Sequence, residues 1–137
     1  KSGRLIYIDD YAHHPREIEA SLSSIREMWP DKRLTVAFQP HLYSRTNDFY
    51  PEFAKSLNLA DQVILLDIYP AREQPIPGVT SGLIAERLTV PFVWVTKEEF
   101  PEYVKENVKE GIFMTVGAGD IDRFIPIFTE MFGGTDC

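Results

Sequence analysis

Cysteine is nearly missing from this sequence of 137 residues: the one present, Cys137, is the last residue, so no intrachain disulfide or thiolate metal cluster can form. Positive charge is also scarce. Against 21 Asp and Glu stand 14 Lys and Arg, and a formal charge of -7 repels polyphosphate backbones, which argues against nucleic acid as a partner. No apolar run approaches the ~18 residues of a membrane span. The start, Lys1-Ser2-Gly3-Arg4-Leu5, lacks a signal peptide's apolar core, so a cytoplasmic protein without membrane contact is expected. No G-x-x-x-x-G-K-[ST] loop occurs, so nothing in the chain can wrap ATP phosphates in the P-loop manner, and no Gly-x-Ser-x-Gly elbow is found.

What is present is enough for one core: a domain of this length buries roughly 68% of its unfolded surface, and 44% of its residues are hydrophobic. Short apolar runs alternate with helical periodicities. Leu5-Ile6-Tyr7-Ile8 reads as a strand ending at Asp9-Asp10. Ile18, Leu22, Ile25 and Trp29 then share a helical face behind Pro15. Leu34 to Phe38 is a second strand, and Phe49, Phe53 and Leu57 mark a second helix. Val63 to Leu66, Pro91 to Val95 and Ile112 to Val116 are further strands. Helices are expected at about Ser81 to Arg87 and Glu98 to Asn107, and along the Ile121, Phe124, Ile125 and Phe128 face. The pattern predicts a doubly wound, Rossmann-like α/β domain, with a mostly parallel sheet of about five strands and helices on both faces. Residues 1–137 are expected to form one domain, with an irregular tail at Gly133-Gly134-Thr135-Asp136-Cys137.

Ligands of such sheets lie beyond the carboxyl ends of the strands, and polar residues gather there. Asp9-Asp10-Tyr11-Ala12-His13-His14-Pro15 sets two carboxylates and two imidazoles side by side. They can serve as a turn and cap, or hold a hydrated cation, a ribose or a polar substrate. Adjacent histidines without thiolates argue against zinc. Gln39-Pro40-His41-Leu42-Tyr43-Ser44-Arg45-Thr46 adds a guanidinium that reads either as an anion clamp or as a surface salt bridge. The loop from Tyr69 to Gly78 is stiffened by Pro70, Pro75 and Pro77. Gly117-Ala118-Gly119-Asp120 is half of a dinucleotide fingerprint, but Asp122 stands at the third glycine, and Asp120 is expected to cap the last helix.

In order and spacing, the motifs Asp9 to Pro15, Phe38 to His41, Tyr43 to Thr46, Asp67 to Glu73, Pro75 to Gly78 and Gly117 to Ile121 resemble the C-terminal domain of the Mur ligases. The likeness covers nearly the whole chain and is greatest to the branch that joins L-alanine to UDP-N-acetylmuramate; the muropeptide-recycling branch is similar at the first motif. The resemblance implies a three-domain parent in which ATP and Mg2+ are bound mainly by a central domain. The N-terminal domain would hold UDP-N-acetylmuramate, and this domain would close over both. It implies that Asp9 or Asp10, with Tyr11, meets the nucleotide's ribose or adenine, and that His13 or His14 faces phosphate or amino acid. His41 and Arg45, with Tyr43, would take the alanine carboxylate or the acyl-phosphate region. It implies no catalytic residue and no metal ligand in this chain. Family members often carry Arg where this chain has Leu42. They also often carry an antiparallel strand ahead of the first strand here, so the expectation is a domain trimmed at or inside its boundary. A self-sufficient nucleotide-binding or interaction module is the reading from another class.

Overall fold

Alternation along each strand decides which layer a residue enters. The computed structural model describes residues 5–132; the start 1–4, the glycine-rich tail and Cys137 lie outside the described residues. The strands are β1 (Leu5–Asp10), β2 (Leu34–Phe38), β3 (Gln62–Leu65), β4 (Phe92–Trp94) and β5 (Gly111–Val116). They lie in the order β1-β5-β2-β3-β4, every pairing parallel. Leu34, Val36, Phe38, Val63, Leu65, Ile112 and Met114 face one layer, packed with Ile18 and Leu22 of α1 (Pro15–Met28), Phe53 and Leu57 of α2 (Tyr43–Leu57), and Ile84 of α3 (Gly82–Ala85). Tyr7, Ala37, Ile64 and Phe113 face the other, against Phe100 and Val104 of α4 (Phe100–Asn107) and Phe128 of α5 (Ile125–Phe132). This is the doubly wound α/β architecture expected from the strand pattern.

Three local expectations are revised. The helix marked by Phe49, Phe53 and Leu57 is present and spans Tyr43–Leu57, but of these three only Phe53 and Leu57 are buried, Phe49 being 40% exposed. The fourth strand is a three-residue edge strand, with Phe92 and Trp94 40% and 44% exposed, so burial on both faces belongs to the inner strands. Asp120 is not a cap: Gly119 holds that position ahead of a 3-10 turn (Asp120–Phe124), while the Asp120 carboxylate accepts from Gln39 Nε2 at 2.6 Å and Lys97 Nζ at 2.6 Å. Burial alone would raise the Asp120 pKa, but these bonds outweigh it and hold the group below its ordinary value.

A tight approach fixes where β5 begins. Gly111 has φ +83°, and a Cβ there would sit 2.3 Å from the Arg33 carbonyl oxygen, which accepts the Ile112 N–H at 2.8 Å. With this start set, β5 lies between β1 and β2, and Val116 pairs with both Asp10 and Phe38. The three strand ends therefore finish level, and the loops that follow them meet.

Candidate functional site

The β1 end separates its two carboxylates. β1 extends through Asp10, so Asp9 and Asp10 point to opposite faces. Asp10 accepts the Ala12 N–H at 2.9 Å and the Ser21 hydroxyl of α1, which is the turn-forming reading of this residue. Asp9 faces the α5 layer, where it accepts from Thr115 Oγ1 at 2.6 Å, with the Tyr7 hydroxyl 2.9 Å from that same oxygen. Burial raises the Asp9 pKa; the Thr115 bond opposes this, and Asp10 and Asp122 add to it.

Past this end the chain turns into α1. His14 is its N-cap, Pro15 its first residue, and Glu17 accepts the backbone N–H groups of His13 at 3.0 Å and His14 at 3.2 Å. These bonds, the His13 one foremost, hold the Glu17 carboxyl below its ordinary range. The turn presents the His13 ring 5.1 Å from His14, 6.0 Å from the 61% exposed Tyr11, and 6.2 Å from His41 of the next strand end. The first two predicted clusters thus meet through His13 and His41.

His41 and Arg45 form a pair across the first turn of α2, with Arg45 Nη1 3.0 Å from His41 Nδ1. A guanidinium has only donors, so Nδ1 accepts and the ring proton sits on Nε2. Burial, then the charges of Arg45 and His13, lower the His41 pKa, so the ring is neutral near pH 7. The pair, both residues half-buried, therefore offers an imidazole N–H and the remaining guanidinium N–H groups at the surface, which suits a carboxylate or a phosphoryl oxygen. Tyr43 is half-buried as the first residue of α2.

Two participants were not among the predicted site residues. Tyr69, after β3, stacks on His41 at 5.8 Å with planes 16° apart, and its backbone forms a parallel bridge with that residue. Glu73 supplies the cap that Leu42 cannot: it accepts the Ser44 N–H at 3.1 Å and the Ser44 hydroxyl. The hydroxyl bond is the foremost cause of a lowered Glu73 pKa. Both participants lie in the Asp67 to Glu73 stretch that carries the family resemblance, Tyr69 just past the end of a buried strand; Glu73 stands 29 residues from Ser44, so local pattern does not reveal that it caps α2.

Among the described residues no group of three or more His, Cys, Asp and Glu could hold a metal ion. Asp9 and Asp10 are engaged within the fold on opposite faces, so the pair does not fit Mg2+. None of the described helices is long and apolar enough to cross a membrane.

Fold and site together define a parallel α/β domain in which imidazole and guanidinium groups gather beyond the strand ends. The family model of the Mur ligase glutamate ligase domain matches residues 1–119, and the chain belongs to the Mur ligase family. It is 52% identical over 128 residues to a UDP-N-acetylmuramate--L-alanine ligase of Phocaeicola vulgatus, covering 92% of this chain and 28% of that protein. A protein of the same name from Porphyromonas gingivalis is 50% identical, over 89% of this chain and 27% of its own length. Among solved structures, the UDP-N-acetylmuramate-alanine ligase of Thermotoga maritima is similar with a TM-score of 0.65 and 29% identity, over 92% of this chain and 27% of that one. The murein peptide ligase of Psychrobacter arcticus shares the fold, with a TM-score of 0.74 at 18% identity over 98% of this chain and 29% of that one. The chain spans little more than a quarter of the length of these relatives.

Proposed function

We propose that this chain is the C-terminal domain of a cytoplasmic, three-domain ligase that joins L-alanine to UDP-N-acetylmuramate in peptidoglycan-precursor synthesis. In the reaction, ATP phosphorylates the lactyl carboxylate of the muramate and leaves as ADP. The alanine amine then attacks the acyl carbon, expels inorganic phosphate, loses a proton and forms the amide. The P-loop that cradles ATP with Mg2+ belongs to a central domain, and no step of that transfer runs through residues of this chain. Its own residues orient the amino acid. Arg45 and the Nε2–H of neutral His41 hold the alanine carboxylate, and His13, with His14 beside it, faces the phosphoryl group from the neighbouring turn. Tyr43, at the start of α2 between His41 and Arg45, takes part in holding that carboxylate, and Tyr11, exposed at the β1 end, meets the nucleotide. Asp9 and Asp10 shape the β1 end from opposite faces. Closing the domain over the cleft keeps water from the acyl phosphate while the amine is aligned.

The observation that carries this reading is the meeting of His13, His41 and Arg45 from two separate strand ends, with His13 6.2 Å from His41 and Arg45 hydrogen-bonded to it. The names of the relatives supply the substrate. The test joins this chain to its upstream domains and measures phosphate release. Release that requires both UDP-N-acetylmuramate and L-alanine is expected, and release indifferent to alanine would sink the assignment. Calorimetry of the isolated chain with an ATP analogue separates a self-sufficient module, which binds tightly, from a docking domain, which does not.

A further inference from the structure

We infer that Tyr69 is a positioning residue for the His41–Arg45 pair, pressed into place by Gly119; the inference rests on the alanine-carboxylate role proposed above. Tyr69 is bound to the second strand end through its backbone on both sides: its N–H donates to the Pro40 carbonyl at 2.8 Å, and its own carbonyl accepts the Leu42 N–H at 2.8 Å. The bridge sets the Tyr69 ring parallel to His41 in an offset stack, with centroids 5.8 Å apart and planes 16° apart. Behind the ring there is no slack. A Cβ added to Gly119 would lie 2.6 Å from Tyr69 Cβ, 2.7 Å from its Cγ and 2.5 Å from Gln39 Oε1. Gln39 cannot yield, because it is 2% exposed, its Oε1 accepts the Ile121 N–H at 2.9 Å, and its Nε2 donates to Asp120. Gly119, Tyr69, His41 and Arg45 therefore stand in series from the β5 loop to the first turn of α2.

Leu42, between His41 and Tyr43, shows how firmly the series is held. It takes φ 75°, a left-handed conformation costly for leucine. Its N–H is bound to Tyr69, and its carbonyl accepts the Thr46 N–H at 3.1 Å and the Thr46 hydroxyl at 2.9 Å. The Tyr69 ring, parallel to His41 and offset from it, stands beside an imidazole whose pKa is lowered foremost by burial and whose Nδ1 is open to Arg45. Arg45, His13 and Glu73 are the other charged or titrating groups acting on that ring. A ring removed from this place should release both the orientation and the protonation state of His41.

The experiment compares Tyr69→Leu, Tyr69→Phe and Gly119→Ala. Histidine ring resonances are followed against pH in the chain itself, and alanine KM and kcat are measured in the full-length ligase that carries it. In Y69L the His41 signals should lose the ring-current shift of a stacked neighbour and titrate at higher pH. Alanine KM should rise on the order of tenfold, the worth of one oriented hydrogen bond, with kcat moving less. Y69F, which keeps the ring, should restore both readouts. G119A, which displaces the ring without deleting it, should follow Y69L in direction, and it decides the matter if Y69L fails to fold. Unchanged His41 signals in a folded Y69L or G119A overturn the inference. So does an unchanged alanine KM in Y69L when Arg45→Ala raises it. If Arg45→Ala itself leaves alanine KM unmoved, the carboxylate assignment is refuted and the inference falls with it.

Discussion

Arg45→Ala removes the group on which the carboxylate assignment depends, and the structure sets the size of the effect. Arg45 donates to His41 Nδ1 at 3.0 Å and keeps further N–H groups for a ligand. A hydrogen bond to a charged group contributes about 1.5 to 3 kcal/mol. At ~1.36 kcal/mol per tenfold, that lowers kcat/KM for alanine by about 13- to 160-fold. The side chain is half-buried, so water can replace it at His41 and the fold should lose little. The assay is phosphate release in the full-length ligase with alanine varied at saturating ATP and UDP-N-acetylmuramate, alongside a thermal melt. A second readout needs no turnover. Burial is the foremost cause of the low His41 pKa and the Arg45 charge is the next, so the variant should raise that pKa part of the way to its ordinary value. A folded variant whose kcat/KM for alanine stays within about twofold of the parent would refute the reasoning.

Gly111→Ala forces alanine into φ +83° with its Cβ 2.3 Å from a backbone oxygen. The left-handed conformation and the overpacked contact together should cost about 2 to 6 kcal/mol, read as a lowered urea midpoint. Asp9→Asn keeps an acceptor for Thr115 and removes a carboxylate whose pKa is raised in the fold. A raised pKa contributes stability below the unfolded value of 3.8 that is lost as pH rises through the folded value. The variant should therefore melt higher than the parent at neutral pH, with the gap closing by about pH 3; a lower melting point at pH 7 would contradict the burial argument.

The sheet was legible because its signals are local. Leu34 to Phe38, apolar but for the buried Thr35, lies in the middle of the sheet, and Ile18, Leu22 and Ile25 fill one helical face against it. The polar strand ends were legible as well, since His13, His41 and Arg45 follow within a few residues of apolar runs. What local pattern could not carry was set by distant partners. α2 begins at Tyr43 because Glu73 caps it from across the domain, while its own N-cap residue, Leu42, has no side-chain oxygen to offer. β4 is as apolar as an inner strand, and only its place at the end of the sheet order leaves Phe92 and Trp94 in solvent. Asp9 and Asp10 look like one acidic cluster until the strand is seen to run through both, after which period-two alternation parts them.

That parting has a mechanical consequence. Through Asp10 and Ser21 the tip of β1 is moored to the helices on one side of the sheet, and through Asp9 and Thr115 it is moored to the neighbouring strand on the other. A tip stayed from both sides cannot swing toward either layer without breaking a hydrogen bond to a carboxylate. The histidines that leave this tip therefore travel with the frame of the domain, and any large displacement of them relative to a partner surface is a displacement of the whole body.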